Sequence, residues 1–189
     1  MIKILSPGEF KKLEGALGQI TIKESTILAL FMYCGLRVGE VCKLRFRDLI
    51  IEGSTLVEVH ISATISKTGI GRPVPIPPMA RFFIDDFLQN FYDSYSRHPD
   101  DDYLFPGTGG RLYMSVHGIE QLVSRICLKV LHKHVMPHTL RHTYATMVLK
   151  YSNIREVQIL LGHKKLSSTE VYTHPTIQDL SKSVNKAFC

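Results

Sequence analysis

The order of apolar and polar positions predicts a mainly α-helical chain that is interrupted once by β-structure. Ser6-Pro7-Gly8-Glu9 combines an N-cap serine, a proline at N1 and a glutamate at N3, which predicts a helix over 7–17. Further helical patterns lie at 23–34, 38–44, 78–95, 115–134, 137–149 and 153–162. The last stretch, 177–188, carries a single apolar stripe, which can pack on its own core or on a neighbouring copy.

Between the third and fourth helices the hydrophobic period changes from helical to alternating. The segments DLIIEG, STLVEVHISATI and RPVPIP predict three strands of a small antiparallel sheet. Pro73, Pro75 and Pro77 lack a backbone N–H, so the last strand is expected at the edge of that sheet. The expected fold class is therefore α+β, mainly α-helical, with a small three-stranded antiparallel sheet in one domain over 1–189.

Composition narrows the class of partner. The 189 residues carry a net charge of +6, which favours a polyanionic partner, and the basic residues gather at 43–47, 129–133 and 164–165. The four cysteines form no CxxC pair and no regular framework, so we expect reduced cysteines in the core. With no signal peptide and no apolar run of membrane-spanning length, the expected location is the cytoplasm.

The segment Gly35-Leu36-Arg37-Val38-Gly39-Glu40 is the first candidate for chemistry. One helix is predicted to stop at Gly35 and the next to begin near Val38, so Arg37 projects from a break with free backbone N–H groups. Arg37 can bind a phosphate bidentately, and Glu40 lies one turn later, where it can orient the guanidinium. An ordinary surface ion pair is the alternative, which this segment alone favours.

The hairpin before the prolines supplies two further candidates. Lys67 stands just before the Thr-Gly-Ile-Gly turn, from which a lysine can swing into a site and donate a proton. Arg72, across the hairpin, is predicted to contact the DNA backbone. Lysine and arginine are common at exposed turns, so a purely solvated role is the alternative for both.

His138 and Arg141 are three residues apart on one predicted helix, so they share a face. Pro137 marks the N-terminus of that helix, where the dipole and free N–H groups favour a phosphate. The chain has nine histidines but neither an HExxH motif nor a zinc-type Cys/His spacing, so no metal site is expected.

The last candidates follow the glycine that ends the seventh predicted helix. His163 comes directly after Gly162 and can point into a cleft, and Tyr172 lies nine residues further on. Lys164 and Lys165 are predicted to contact DNA. For Tyr172 the alternative is a half-buried core tyrosine whose hydroxyl is hydrogen-bonded.

The joint order of these segments makes the signal specific. GLRVGE, SKTGIGRPVPIP, HTLRHTYAT and LLGHKKLSSTEVYTH occur in this order, followed by a helical tail. In these segments the chain resembles the catalytic domain of the tyrosine recombinase (phage integrase) family, and the resemblance extends over nearly all of it.

The resemblance implies how a DNA phosphate would be held. Arg37, Arg141 and His163 would bind the non-bridging oxygens of the scissile phosphate. Glu40 would support Arg37. Fixed donors of this kind stabilise the charge of a phosphoryl-transfer transition state without a metal ion.

The resemblance also implies the chemical steps. Tyr172 would attack the phosphate and form a 3′-phosphotyrosyl link, with His138 assisting proton transfer at the nucleophile. Lys67 would be the general acid for the leaving 5′-hydroxyl. A free tyrosine has a pKa of about 10, so attack at neutral pH needs a cationic surrounding or a base. No metal and no ATP are implied, because the phosphotyrosyl link conserves the energy of the phosphodiester bond.

The implied partners are double-stranded DNA and further copies of the chain. Members of the family recombine DNA as tetramers and exchange C-terminal tails, here about 176–189; whether the free protein is a monomer stays open. Members usually carry an N-terminal core-binding domain, which we expect to be absent here. A single domain contacts few phosphates, so affinity for DNA and its dependence on salt should be modest.

Three other functions remain as alternatives. A type IB topoisomerase shares the chemistry but relaxes DNA as a monomer. A non-catalytic DNA-binding module could keep the fold, although it would not need Tyr172 together with Lys67. A metal-dependent nuclease would be sensitive to EDTA.

Overall fold

The computed structural model describes residues 3–51, 54–66, 69, 71–94, 102–162 and 177–188. Across these ranges helices dominate and the strands are short and antiparallel, which confirms the predicted α+β class. The helices are α1 (Pro7–Ala16), α2 (Ile22–Cys34), α3 (Val38–Lys43), α4 (Pro78–Ser94), α5 (Val116–Leu131), α6 (Pro137–Leu149), α7 (Ile154–Leu161) and α8 (Ile177–Phe188). The strands are β1 (Ile50–Ile51), β2 (Ser54–Thr55), β3 (Glu58–Ile61) and β4 (Arg72–Pro75).

Local capping explains where the first helices begin. Ser6 accepts a hydrogen bond from the Glu9 backbone N–H at 3.3 Å, and the Glu9 carboxylate accepts one from the Ser6 N–H at 2.8 Å. Thr21 and Glu24 form the same reciprocal pair at the start of α2. Each box satisfies two backbone donors that would otherwise lack a partner, so the helix start is encoded by four consecutive residues.

The prediction of one three-stranded sheet is wrong. Among the described residues β1 pairs only with β2, and β3 pairs only with β4, both antiparallel. The predicted middle strand changes partner at its centre: the Leu56 N–H donates to Leu49 O, whereas Val57 O accepts from the Ile76 N–H, both at 2.8 Å. No stretch of this segment therefore pairs on both sides, and two hairpins form in place of a sheet.

Helix α2 is the centre of the core. Its residues 25–34 are all buried, and α4 and α6 both pack against it. Helix α5 packs against α1 and α3. A helix that is apolar all round must be surrounded in this way, and its position brings the C-terminal end of α2 next to α6.

Helix α8 packs on its own domain. It contacts α6 and β4, and it buries Leu180 and Val184 in a second apolar cluster with residues of α6 and α7. The Phe188 ring stacks on the Tyr144 ring with 5.7 Å between centroids and meets the Tyr33 ring edge-on at 5.3 Å. The packing of α8 on its own domain does not test the predicted exchange of the tail between copies, which stays a prediction. Within the described ranges, no helix has the length and hydrophobicity needed to span a membrane.

Candidate active site

Three arginines from three different elements meet at the C-terminal end of α7. Arg72 Nε donates to Leu160 O at 2.7 Å, Arg141 Nη2 donates to Leu161 O, and Arg37 Nη2 donates to Gly162 O at 2.9 Å. The last carbonyls of a helix lack intrahelical donors and carry its negative dipole end. One guanidinium thus satisfies each of three consecutive carbonyls, directly before the chain position of His163.

Glu40 joins two of these arginines. Its Oε1 accepts hydrogen bonds from Arg37 Nη1 at 2.9 Å and Arg72 Nη1 at 2.8 Å. Its Oε2 accepts from the Arg37 backbone N–H and from Arg72 Nη2, both at 2.8 Å. All four lone-pair positions of the carboxylate are therefore used, half by Arg37 and half by Arg72. Glu40 is also the N3 residue of α3, so the hydrogen bond that it accepts from the Arg37 backbone N–H belongs to the cap of that helix.

Burial and charge act in opposite directions on this cluster. Burial alone would raise the pKa of Glu40, but the hydrogen bonds and charge of Arg72, the Arg37 backbone N–H and the Arg141 charge together lower it. Burial, followed by the Arg37 charge, lowers the pKa of Arg141, and Glu40 opposes this shift. Within the described ranges, three guanidinium groups surround one carboxylate and leave positive charge in excess, which favours a bound anion.

Two glycines make the close approach of these elements feasible. Gly35 ends α2 with a φ of 59°, and a Cβ there would lie 2.2 Å from Tyr144 Cδ1. Gly162 ends α7 with a φ of 61°, and a Cβ there would lie 3.0 Å from Arg72 Cδ. Arg141 Nη1 donates to Gly35 O, so it connects the ends of α2 and α7. Both sites need a left-handed backbone and an absent side chain.

The prediction that Arg72 contacts DNA is corrected by its position. Its side chain is 3% exposed, and its guanidinium is directed at Glu40 and Leu160 O inside the domain. The strand pattern contains a signal for this. Residues alternate between faces, so Arg72 shares a face with Val74, which is fully buried. A buried arginine needs an acidic partner, and Glu40 supplies it.

The remaining predicted residues divide into two groups. His138 lies exposed in the first turn of α6, one turn before the buried Arg141, and its ring centroid is 6.3 Å from that of His142. No group of three or more His, Cys, Asp or Glu within the described segments is arranged to hold a metal ion. Five predicted residues lie outside the described residues: Lys67, His163, Lys164, Lys165 and Tyr172.

Comparison with known proteins assigns the family. The model of the phage integrase family matches residues 3–179. The chain belongs to the phage integrase family. The predicted resemblance is thereby confirmed, and the residues of the arginine cluster all fall inside the matched region.

The curated relatives carry the name tyrosine recombinase. One from Pseudothermotoga lettingae is 35% identical over 166 residues, which cover 87% of this chain and 54% of the relative. Tyrosine recombinase XerC of Xanthomonas campestris pv. campestris is 33% identical over 88% of this chain and 48% of its own length. The chain thus spans about half the length of these relatives.

Solved structures show the same fold. The crystal structure of XerA recombinase superposes on all of this chain and 66% of its own, with a TM-score of 0.73 and 28% identity. The integrase of mycobacterium phage Brujita matches 100% of this chain and 60% of its own, with a TM-score of 0.75 at 18% identity. XerH bound to its difH substrate matches 97% of this chain and 50% of its own, with a TM-score of 0.67 at 17% identity.

Proposed function

We propose that this chain is the catalytic domain of a site-specific DNA recombinase, which cleaves and rejoins DNA through a 3′-phosphotyrosyl intermediate without a metal ion. The observation that carries the proposal is the cluster of three arginines around Glu40. A phosphodiester is the anion that fits such a cluster, because its transition state gathers charge on equatorial oxygens, which fixed guanidinium donors stabilise.

Arg37 and Arg141 are the proposed phosphate ligands. A guanidinium has five N–H donors, and the contacts within the described residues use two on each of these arginines. The side chain of Arg37 is 14% exposed, so the cluster reaches the surface through it. His163, which follows Gly162 in the chain, is proposed as the third ligand.

The proposed reaction exchanges one phosphodiester for another. The Tyr172 oxygen forms a bond to phosphorus, the bond to the 5′-oxygen breaks, and Lys67 gives that oxygen a proton. His138 assists removal of the phenol proton. Attack by a 5′-hydroxyl on the phosphotyrosyl link then restores the DNA backbone, so no external energy source is needed. Lys164 and Lys165 are proposed to contact the DNA.

The proposed assembly is a tetramer on two DNA sites. XerH bound to difH and the Tn1549 integrase in complex with circular intermediate DNA are fold relatives solved with DNA. Exchange of the tail between protomers would require α8 to leave the cluster that it occupies in its own domain. We place the protein in the cytoplasm, since the buried Cys34, Cys42 and Cys127 are free thiols and suit a reducing compartment.

The test is a covalent trap that needs no knowledge of the target sequence. A pool of duplexes with randomised sequence and a nick near each candidate cleavage position is incubated with protein in EDTA at low salt, which favours weak DNA binding. Wild type is expected to form SDS-resistant protein–DNA bands, and Tyr172→Phe is expected to form none. Bands that persist in Tyr172→Phe, or DNA binding by wild type without any band, would contradict the proposal.

A further inference from the structure

Arg72 occupies a position in the site that phosphate binding alone does not explain. Its side chain is 3% exposed, less than the 14% of Arg37, and both arginines donate to the same Glu40 carboxylate. Its Nε and both Nη atoms donate to protein acceptors between 2.7 and 2.8 Å. Arg72 is therefore committed to the protein, and its role must act through the groups that it holds.

We propose that Arg72 is a positioning residue for the reaction: it fixes Glu40 and the last turn of α7, and through them Arg37. This inference rests on the proposed function and deepens it. Arg72 belongs to β4, in the second hairpin, whereas Arg37 and Glu40 belong to the start of α3. Through Arg72, β4 thus connects the start of α3 with the end of α7, two helix ends that are far apart in sequence.

The contacts on Glu40 show why one arginine depends on the other. Without Arg72, the buried carboxylate keeps only the two hydrogen bonds from Arg37, and half of its acceptor positions are unsatisfied. A buried carboxylate in that state takes up a proton more readily or turns toward other donors. In either case it no longer holds the Arg37 guanidinium in one place. A misplacement of about 1 Å in a positioning group can cost on the order of 100-fold in rate.

The contact with α7 acts on the same group from the other side. Arg72 Nε donates a hydrogen bond to Leu160 O, and Arg37 Nη2 donates one to Gly162 O, two residues later in the chain. A Cβ at Gly162 would press on Arg72 Cδ at 3.0 Å, so the helix end rests directly on this side chain. Arg72 therefore sets the distance between the end of α7 and Glu40, the two groups that hold Arg37.

The first arm of the test uses no DNA. NMR of the full chain follows the Glu40 carboxyl carbon, assigned by comparison with Glu40→Gln, and the Arg37 Nε–H signal. In Arg72→Lys, which keeps the charge but loses the planar fork, the pKa of Glu40 is expected to rise and the Arg37 signal to shift or broaden. Among the residues that the structure describes, the charged groups facing Glu40 are Arg37, Arg72 and Arg141, and only Arg72 is changed.

The second arm measures the rate of the covalent trap against pH. In Arg72→Lys we expect a loss of about 100-fold at neutral pH and an acid limb that moves up with the Glu40 titration. Val74→Ala, which removes buried packing from the same strand, is the control for lost stability and should keep the wild-type pH profile and both NMR signals. Unchanged NMR signals of Glu40 and Arg37 in Arg72→Lys, or a rate of trapping in Arg72→Lys equal to that of wild type, would overturn the proposal.

The two arms separate this inference from the proposed function. If wild type forms no covalent complex, the proposed function fails, and the NMR arm alone decides whether Arg72 positions Arg37. If Arg72→Lys does not fold, Arg72→Gln replaces it. If neither variant folds, the wild-type protein provides the test. Its Arg72 Nε–H should exchange slowly with water, and the pKa of Glu40 should lie below the ordinary glutamate range. Fast exchange of the Arg72 Nε–H together with an ordinary or raised pKa of Glu40 would overturn the proposal.

Discussion

The central carboxylate of the site allows a test with a matched control inside the same chain. Glu40 and Glu24 are both N3 residues of a capping box, and both pair with an arginine. They differ in burial, because the Glu40 side chain is 1% exposed and its partners Arg37 and Arg72 are 14% and 3% exposed, whereas Arg125, the partner of Glu24, is 70% exposed. A change of Glu to Gln keeps one oxygen that can accept the capping hydrogen bond at both positions, so it compares the loss of the charge and of one acceptor oxygen in two different surroundings.

The expected cost follows from what the carboxylate does in each place. In Glu40→Gln, one carboxylate oxygen becomes an amide NH2 that faces arginine donors, and three guanidinium groups lose the one carboxylate that the described part of the chain places among them. Removing one partner from a buried ion pair costs about 3–5 kcal/mol of unfolding free energy. Glu24→Gln should cost at most about 1 kcal/mol, because its arginine remains solvated.

The assay is urea unfolding of wild type and both variants at pH 7, with the slopes compared to check that the transition stays two-state. For a chain of this size, the expected loss of unfolding free energy in Glu40→Gln corresponds to a fall in melting temperature on the order of 10 °C relative to wild type. Equal costs for the two variants would refute the view that Glu40 neutralises a buried cationic cluster.

The difference in unfolding free energy between wild type and Glu40→Gln should depend on pH with a defined sign. The pKa of Glu40 is lowered in the folded protein, so its stabilisation is complete above the unfolded value of about 4.3 and is lost as the pH falls through the folded value. The stability difference between wild type and Glu40→Gln should therefore be largest near pH 7 and shrink on acidification below the ordinary glutamate range. A difference that grows as the pH falls contradicts the assignment.

Three further substitutions test the surroundings of the cluster. Gly35→Ala should destabilise the protein by about 2–5 kcal/mol, since it strains the left-handed backbone and forces a close contact with the Tyr144 ring. Thermal unfolding measures this cost, and Gly8→Ala is the control because an added Cβ there has no neighbouring atom within 4 Å. Phe188→Ala should cost about 2 kcal/mol by removing ring contacts that hold α8, whereas the same change at the exposed Phe82 should cost little. Arg141→Lys should slow covalent trapping on the order of 100-fold with the fold retained.

The sequence predicted those parts of the fold that depend on neighbouring residues. Ser6 and Glu9 predict the start of α1, and Gly35 and Gly162 predict the ends of α2 and α7, because caps and left-handed glycines act within four or five residues. The division of the strands into two hairpins depends on which partner each half of one segment meets, and no local pattern at Leu56 encodes that choice.

The candidate site was predictable in part for the same reason. Arg37 and Glu40 are neighbours in sequence, and their pairing follows from helix geometry. Arg72 was assigned to the DNA surface because its place in a hairpin suggested exposure, although alternation with Val74 indicates the buried face. Its partner Glu40 is 32 residues away, so only the folded chain brings the two together. The three carbonyls at the end of α7 could not be anticipated, since a backbone acceptor has no signature in sequence.

The central claim is that Tyr172 becomes covalently joined to DNA at a phosphate held by the arginine cluster. The most direct measurement is mass spectrometry of the trapped complex after nuclease and protease digestion. The account predicts a nucleotide joined through its 3′-phosphate to the peptide that contains Tyr172, and strongly reduced yield of this peptide from Arg141→Lys. A nucleotide on any other residue, or a link through a 5′-phosphate, would contradict it.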